Sequence, residues 1–231
     1  RQAILRRPSK RFSTTSEDPT PIIFETVMRP LSELIDENDS AWPLVEAWIA
    51  GAKPDVRVLE VDRAVREIAL HETQVTTRSP MGAIVYHSAG LLIDHGWLRI
   101  LGAGGHKLLQ RSLPSWNRDR SEGFYLIADD AVGGFFAINA GALGDDLRMI
   151  YYFSPDTLQW EACGMGYSDF LCWSMTDQLA DFYATLRWPH WEEEVTKITA
   201  DQVIGVYPFL FTSGAPIVDR HRASIPVTEH Y

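Results

Sequence analysis

Apolar and polar positions along this chain fall first at helical spacing, then at extended spacing, then at helical spacing again. Between residues 41 and 50, Trp42, Val45, Trp48 and Ile49 recur on one helical face; Ser40 or Asp39 can cap the segment, Pro43 suits a first turn, and Gly51 ends it. A second helix is predicted from Asp62, with Val65, Ile68 and Ala69 facing inward and Arg63, Arg66 and Glu67 outward. From Met81 the period shortens. Ala83–Tyr86 and Leu91–Asp94 read as the strands of a hairpin closed by His87-Ser88-Ala89-Gly90, and Trp97–Leu101 as a third strand beyond the tight turn Asp94-His95-Gly96. The polar stretch Lys107–Glu122 is predicted to be a long surface loop.

The clearest hairpin follows. Phe124–Ala128 is a strand, Asp129-Asp130-Ala131-Val132-Gly133-Gly134 an acidic and glycine-rich turn, and Phe135–Asn139 the returning strand. After the loop Ala140–Arg148, Met149–Phe153 and Leu158–Cys163 continue an antiparallel meander across a Ser154-Pro155-Asp156-Thr157 turn. Helical spacing then returns. Ser168 or Asp169 opens a short helix through Phe170, Leu171 and Trp173, and Thr176 or Asp177 a longer one carrying Leu179, Phe182, Tyr183 and Leu186. Pro189 opens a last helix over Trp191–Ile198, with Glu192, Glu193 and Glu194 in the first turn where the helix dipole favours acids. Val203–Phe211 reads as an edge strand, because Pro208 cannot donate to a ladder.

Together these elements predict an α+β fold: a mainly antiparallel sheet with N-terminal and C-terminal helices packed on it. One domain over residues 29–212 is expected, with a leader and linker before it and a tail at 213–231. A chain of 231 residues that is 45% hydrophobic can bury one substantial core. No run approaches the roughly 20 consecutive apolar residues of a membrane span. Cys163 and Cys172 lie in apolar stretches and do not make a disulfide framework, so free, buried thiols in a reducing, intracellular setting are expected.

Charge divides the chain unevenly. Residues 1–16 hold four Arg and one Lys without an acid, whereas the remaining 215 residues hold 16 bases against 31 acids, about −15. Such a body repels phosphate backbones and anionic lipid, which argues against nucleic acid and membrane as partners and in favour of a basic protein. The leader, with Arg1, Arg6, Arg7, Lys10 and Arg11 among serines and threonines, has the composition of a mitochondrial transit peptide and equally that of a basic tail. The sequence opens without Met, and the chain is expected to extend further at this end. Pro19, Pro21 and Pro30 mark a linker with one short extended piece at Ile22–Phe24.

Candidate chemistry is sparse. Asp129 and Asp130 are adjacent on a predicted turn, where their side chains diverge, whereas an acid–base pair needs two converging carboxylates. Gly133 and Gly134 suit backbone strain better than a phosphate cradle, since no helix start follows them. Asp94 and His95, with His87 and His106, match no compact metal-binding spacing, and no metal is expected. Gly102-Ala103-Gly104-Gly105 lacks the Lys-Ser/Thr ending and the spacing of nucleotide-binding loops, so no cofactor is expected. Neither cysteine has a neighbouring His, and no serine sits in a Gly-x-Ser-x-Gly elbow. Trp116 in the polar loop and Trp188 beside Pro189 are candidate contacts if exposed.

The stretches ADDAVGGFFAINAGALG (128–144), MIYYFSPDTLQW (149–160) and GYSDFLCW (166–173) resemble the core of the SUKH superfamily, where a strand ends in an acidic, glycine-rich turn and an aromatic-rich helix closes the core. TTRSPMGAIVYHSAGLLIDHGWLRILGAG (76–104), LRWPHWEEEV (186–195) and YPFLF (207–211) are similar to a bacterial family, domain of unknown function 2625, over about residues 29–212. That family brings no established activity. The wider resemblance implies a SUKH-like α+β fold and an immunity-type role, neutralising a toxin by binding it. Two readings follow: a module that captures a basic partner on an acidic surface, with the Asp129–Gly134 turn and the 107–122 loop at its rim, or a small-molecule enzyme built around Asp94, His95 and Asp130.

Overall fold

A computed structural model describes residues 28–120 and 122–231. The basic leader, most of the linker and the extended piece expected at Ile22–Phe24 lie outside the described residues. A single turn, α1 (Leu31–Leu34), precedes α2 (Trp42–Ala50), and Ser40 accepts a bond from the Trp42 amide at 3.2 Å. Strand β1 (Val56–Leu59) separates α2 from α3 (Arg63–Thr73). It was not anticipated. Four residues with two of them exposed carry little period, and β1 is held as a strand by pairing with β2 (Gly90–Ile93).

The largest correction falls at 80–87. Ala83–Tyr86, read as a strand, belongs to helix α4 (Pro80–His87), and the hairpin at His87–Gly90 is a helix-to-strand connection. Ser79 caps α4 by accepting the Gly82 amide at 3.1 Å, and Pro80 occupies its first turn. Gly82, Ala83, Ile84 and Val85 are all buried, so the helix has almost no polar face and its run of apolar residues imitates a strand. The glycine is a packing requirement: a Cβ there would stand 2.1 Å from the Thr76 carbonyl oxygen.

Strand β3 (Leu98–Leu101) follows β2 through Asp94 and His95, both at positive φ (54° and 58°). The expected surface loop at 107–122 is instead folded inward. It contains α5 (Leu113–Asn117), closed by a reciprocal Ser112–Ser115 capping box, and Leu109, Leu113 and Trp116 are buried. Strands β4 (Phe124–Asp130), β5 (Phe135–Asn139), β6 (Ile150–Ser154) and β7 (Gln159–Ala162) complete a seven-stranded sheet in sequential order, every pair antiparallel. The fold is α+β, as the periodicity predicts.

Helices α6 (Tyr167–Ser174), α7 (Gln178–Phe182) and α8 (Trp191–Val195) follow; the last two are shorter than their apolar spacing suggested. They return aromatic side chains to the sheet. Trp97 is fully buried among Tyr183, Trp188 and Trp191, with ring centroids 5.5, 5.8 and 4.9 Å away. The segment 203–211 does not edge the main sheet. Strand β8 (Gln202–Tyr207) ends before Pro208 and pairs with β9 (His221–Pro226) in a separate two-stranded sheet. Residues 213–231, expected as a tail, therefore supply β9 and the closing turn α9 (Val227–His230), whose Val227 is buried. Among the described residues, no helix is long and apolar enough to cross a membrane.

Candidate functional site

The adjacent acids of β4 do not sit on a surface turn. Pairing of Leu98 with Asp130 and of Arg99 with Asp129 extends β4 through both residues, and both are fully buried. Their side chains diverge, as expected, but into the protein. Asp129 is clamped between two arginines: Arg99 donates from Nη1 at 3.1 Å, and Arg111, from the inward-folded segment before α5, closes on the other oxygen. Arg99 also donates to the carbonyls of Gly96 (2.8 Å), Asp130 (2.7 Å) and Gln202 (2.9 Å), so its guanidinium ties the β2–β3 turn, β4 and β8 together. Arg111 reaches Asp201 at 3.3 Å.

Asp130 faces the other way. Its Oδ1 accepts the amides of Val132 (3.0 Å) and Gly134 (2.8 Å), and its Oδ2 accepts the hydroxyl of Tyr152 from β6 at 2.7 Å. Burial raises the pKa of this carboxyl, outweighing the three donors and the more distant Arg99, which lower it. Burial likewise pushes the Tyr152 phenol well above its ordinary range, and the proton stays on the oxygen. A carboxyl with a raised folded-state pKa stabilises the protein below the ordinary value of 3.8, and that contribution is lost as pH rises through the folded value. Asp130→Asn is therefore expected to flatten the dependence of stability on pH above 3.8, checked by denaturant midpoints across an acid series. An unchanged pH profile would mean that Asp130 titrates normally.

Gly133 and Gly134 belong to the same knot. Gly133 has φ +91°, and a Cβ on it would fall 1.9 Å from His230 Nε2, because α9 lays that imidazole over the turn. A Cβ on Gly134 would meet Asp130 Oδ2 at 2.2 Å and the Tyr152 hydroxyl at 2.3 Å. Trp116 and Trp188 are both buried rather than offered to a partner. Arg111 and Arg120 stack over Trp116 at 4.7 and 4.4 Å, and Tyr231 meets its edge at 5.8 Å.

Among the described residues, Asp94 and His95 make no hydrogen bond or ion pair with Asp129 or Asp130. Asp94 pairs with Arg187, whose guanidinium lies over the rings of Trp191 (4.1 Å) and Trp97 (4.8 Å). His95 is exposed, 6.0 Å from the Trp191 ring, and lines a polar cleft of about 180 Å³ with Asp55, Arg57 and Arg99. Among the described residues, the five clefts of the surface include one lined by His95 and none lined by Asp94 or Asp130, so none of these five brings the three residues of the enzyme reading together. Among the described residues, no group of three or more His, Cys, Asp and Glu has metal-holding geometry. Cys163 and Cys172 are free and half-buried, and burial pushes the Cys163 thiol up to about 11.

What remains at the surface is acid. Of the described residues, 19 exposed acids stand against 10 exposed bases, and Arg99, Arg111, Arg187 and Arg222 turn inward to ion pairs. The imbalance is sharpest between Arg148 and Arg187, where no Lys or Arg occurs and Asp156, Glu161, Asp169, Asp177 and Asp181 are all exposed. The same stretch borders the widest apolar cleft, about 430 Å³, where Phe153, Pro155 and Leu158 face Tyr207, Phe209 and Phe211. Those three aromatics are 65, 54 and 47% exposed. The net charge pointed to an acidic face, but the site residues chosen from the sequence do not form it.

The family described as "Protein of unknown function DUF2625" matches residues 31–230. The uncharacterized protein YbfG of Escherichia coli K12 is 44% identical over 205 residues, spanning 87% of this chain and 94% of its own. An uncharacterized protein of Haemophilus influenzae is 35% identical over 212 residues, spanning 88% and 92%. No solved structure matches the chain.

Proposed function

Because the chain belongs to the DUF2625 family, whose description and relatives bring no activity with them, we propose a function from its surface: a protein-binding module of the immunity-protein kind that captures a basic partner, such as a toxin, on its acidic face. The observation that carries this reading is the stretch 149–186, with five exposed acids and no base. Electrostatic complementarity of this kind steers encounter and rejects like-charged partners. The exposed Tyr207, Phe209 and Phe211, beside that stretch, are residue types suited to anchoring an interface once charge has brought the partner in. The likeness of residues 128–144 and 166–173 to the SUKH core supports the same reading and a SUKH-like assignment of the fold.

The test is binding of the purified protein to candidate basic proteins at low and at physiological salt. A complex is expected whose association slows as salt rises. Reversing Asp169, Asp177 and Asp181 to Lys is expected to slow association further, with little change in stability because all three are exposed. A complex insensitive to both salt and reversal, or no complex with any such partner, would remove the reading.

A further inference from the structure

Five aromatic rings in mutual contact, with Phe136 touching each of the other four, line a cleft of about 180 Å³ on the acidic stretch together with Glu161, Ala162, Cys163 and Met165. Phe136 of β5 lies 4.6 Å from Tyr152 of β6; Tyr152 lies 5.0 Å from Phe182 of α7, Phe182 5.2 Å from Trp173 of α6, Trp173 5.9 Å from Phe170, and Phe170 4.8 Å from Phe136. Phe136 and Phe170 are fully buried and Tyr152 nearly so, forming the depth of the cleft, while Phe182 is 38% exposed at its mouth. Glu161 of β7 is the one charged residue lining it.

Two features give this cleft a sign. Ring faces carry negative potential and attract cations. Glu161 adds a carboxylate to the lining, which includes no Lys or Arg. Among the described residues, Arg66, Arg111, Arg120, Arg187 and Arg222 stack on aromatic rings, but on none of these five. The volume suits a compact head group and is below that of typical drug-sized sites. We infer that this aromatic box is a binding site for a small organic ammonium cation, one whose methylated head sits against the rings with its charge toward Glu161. The site does not rest on capture of a protein partner, and either can fail alone.

Titration of the full chain with choline chloride, and in parallel with 3,3-dimethyl-1-butanol, its uncharged carbon analogue, tests this by calorimetry. Choline is expected to bind saturably at one site, and the neutral analogue at least about tenfold more weakly. Phe182→Leu keeps apolar bulk at the mouth but removes a ring face, and is expected to weaken choline about tenfold; Glu161→Gln, at an exposed position, is expected to weaken it and to leave the neutral analogue unaffected. Equal binding of the two probes would show an apolar pocket without charge selectivity and overturn the inference. So would no saturation by choline through the millimolar range, or choline binding indifferent to Phe182→Leu.

Discussion

Truncation of Arg99 to alanine is expected to cost about 3–5 kcal/mol of folding stability, since it breaks a buried ion pair by deleting one partner. The side chain is 1% exposed and its pKa is lowered by burial, with Asp129 opposing that shift. Removing it strips Asp129 of one of its two counter-ions, takes the guanidinium donor from the carbonyls of Gly96 and Gln202, and leaves the Asp130 carbonyl with only the longer bond from the Gly133 amide. The loss is a large part of the roughly 5–15 kcal/mol that holds an ordinary domain together. Urea unfolding should show a lower midpoint with an unchanged slope. Arg63→Ala is the control. Arg63 and Glu67 make an ion pair of similar length, 2.7 Å, but the arginine is 81% exposed, so its removal is expected to have little effect. If the two variants behaved alike, the Arg99–Asp129–Arg111 cluster would not be shielded from water.

That cluster shows which part of the site could be read from the chain. Arg99 is the one charge in the strand LRIL and Asp129 one of two at the end of FYLIADD, and the register places them opposite one another. A charge in each of two neighbouring buried strands signals a cross-strand pair. Ending the first strand at Ala128 hid that signal, because Asp is a habitual turn residue and two glycines follow. Helix α3 was legible because its outer face is charged, and α2 because Trp42, Val45, Trp48 and Ile49 recur at helical spacing between a capping residue and Gly51, whereas the four consecutive buried residues Gly82, Ala83, Ile84 and Val85 of α4 show no such spacing. Strand β9 (HRASIP) is mostly exposed and contains a Pro, and only its pairing with β8 makes it a strand. The acid count between Arg148 and Arg187 was plain in the sequence. The aromatic circuit was not: its members are spread from 136 to 182 over two strands and two helices, and only the fold closes it.

Gly134→Ala is expected to be comparably severe, at about 3–5 kcal/mol, combining overpacking with a damaged buried hydrogen bond. The added methyl would stand 2.2 Å from Asp130 Oδ2, 2.3 Å from the Tyr152 hydroxyl and 2.5 Å from Tyr152 Cε2, all of them buried atoms with little room to retreat. Relief by moving the phenol breaks its 2.7 Å bond to Asp130 and leaves a shielded carboxyl oxygen without a donor. Gly133→Ala strains a backbone at φ +91° and strikes His230, but α9 is a terminal turn that can lift away, so its cost should be smaller and confined to release of the C-terminal residues. The mechanism is tested by a double-mutant cycle. Tyr152→Phe alone removes the donor to Asp130 and should cost about 1–3 kcal/mol; in the Gly134→Ala background it also removes one of the clashing atoms, so the double variant should be less destabilised than the two losses added together. Additive losses would place the alanine methyl clear of the phenol and separate this turn from the Asp130–Tyr152 pair.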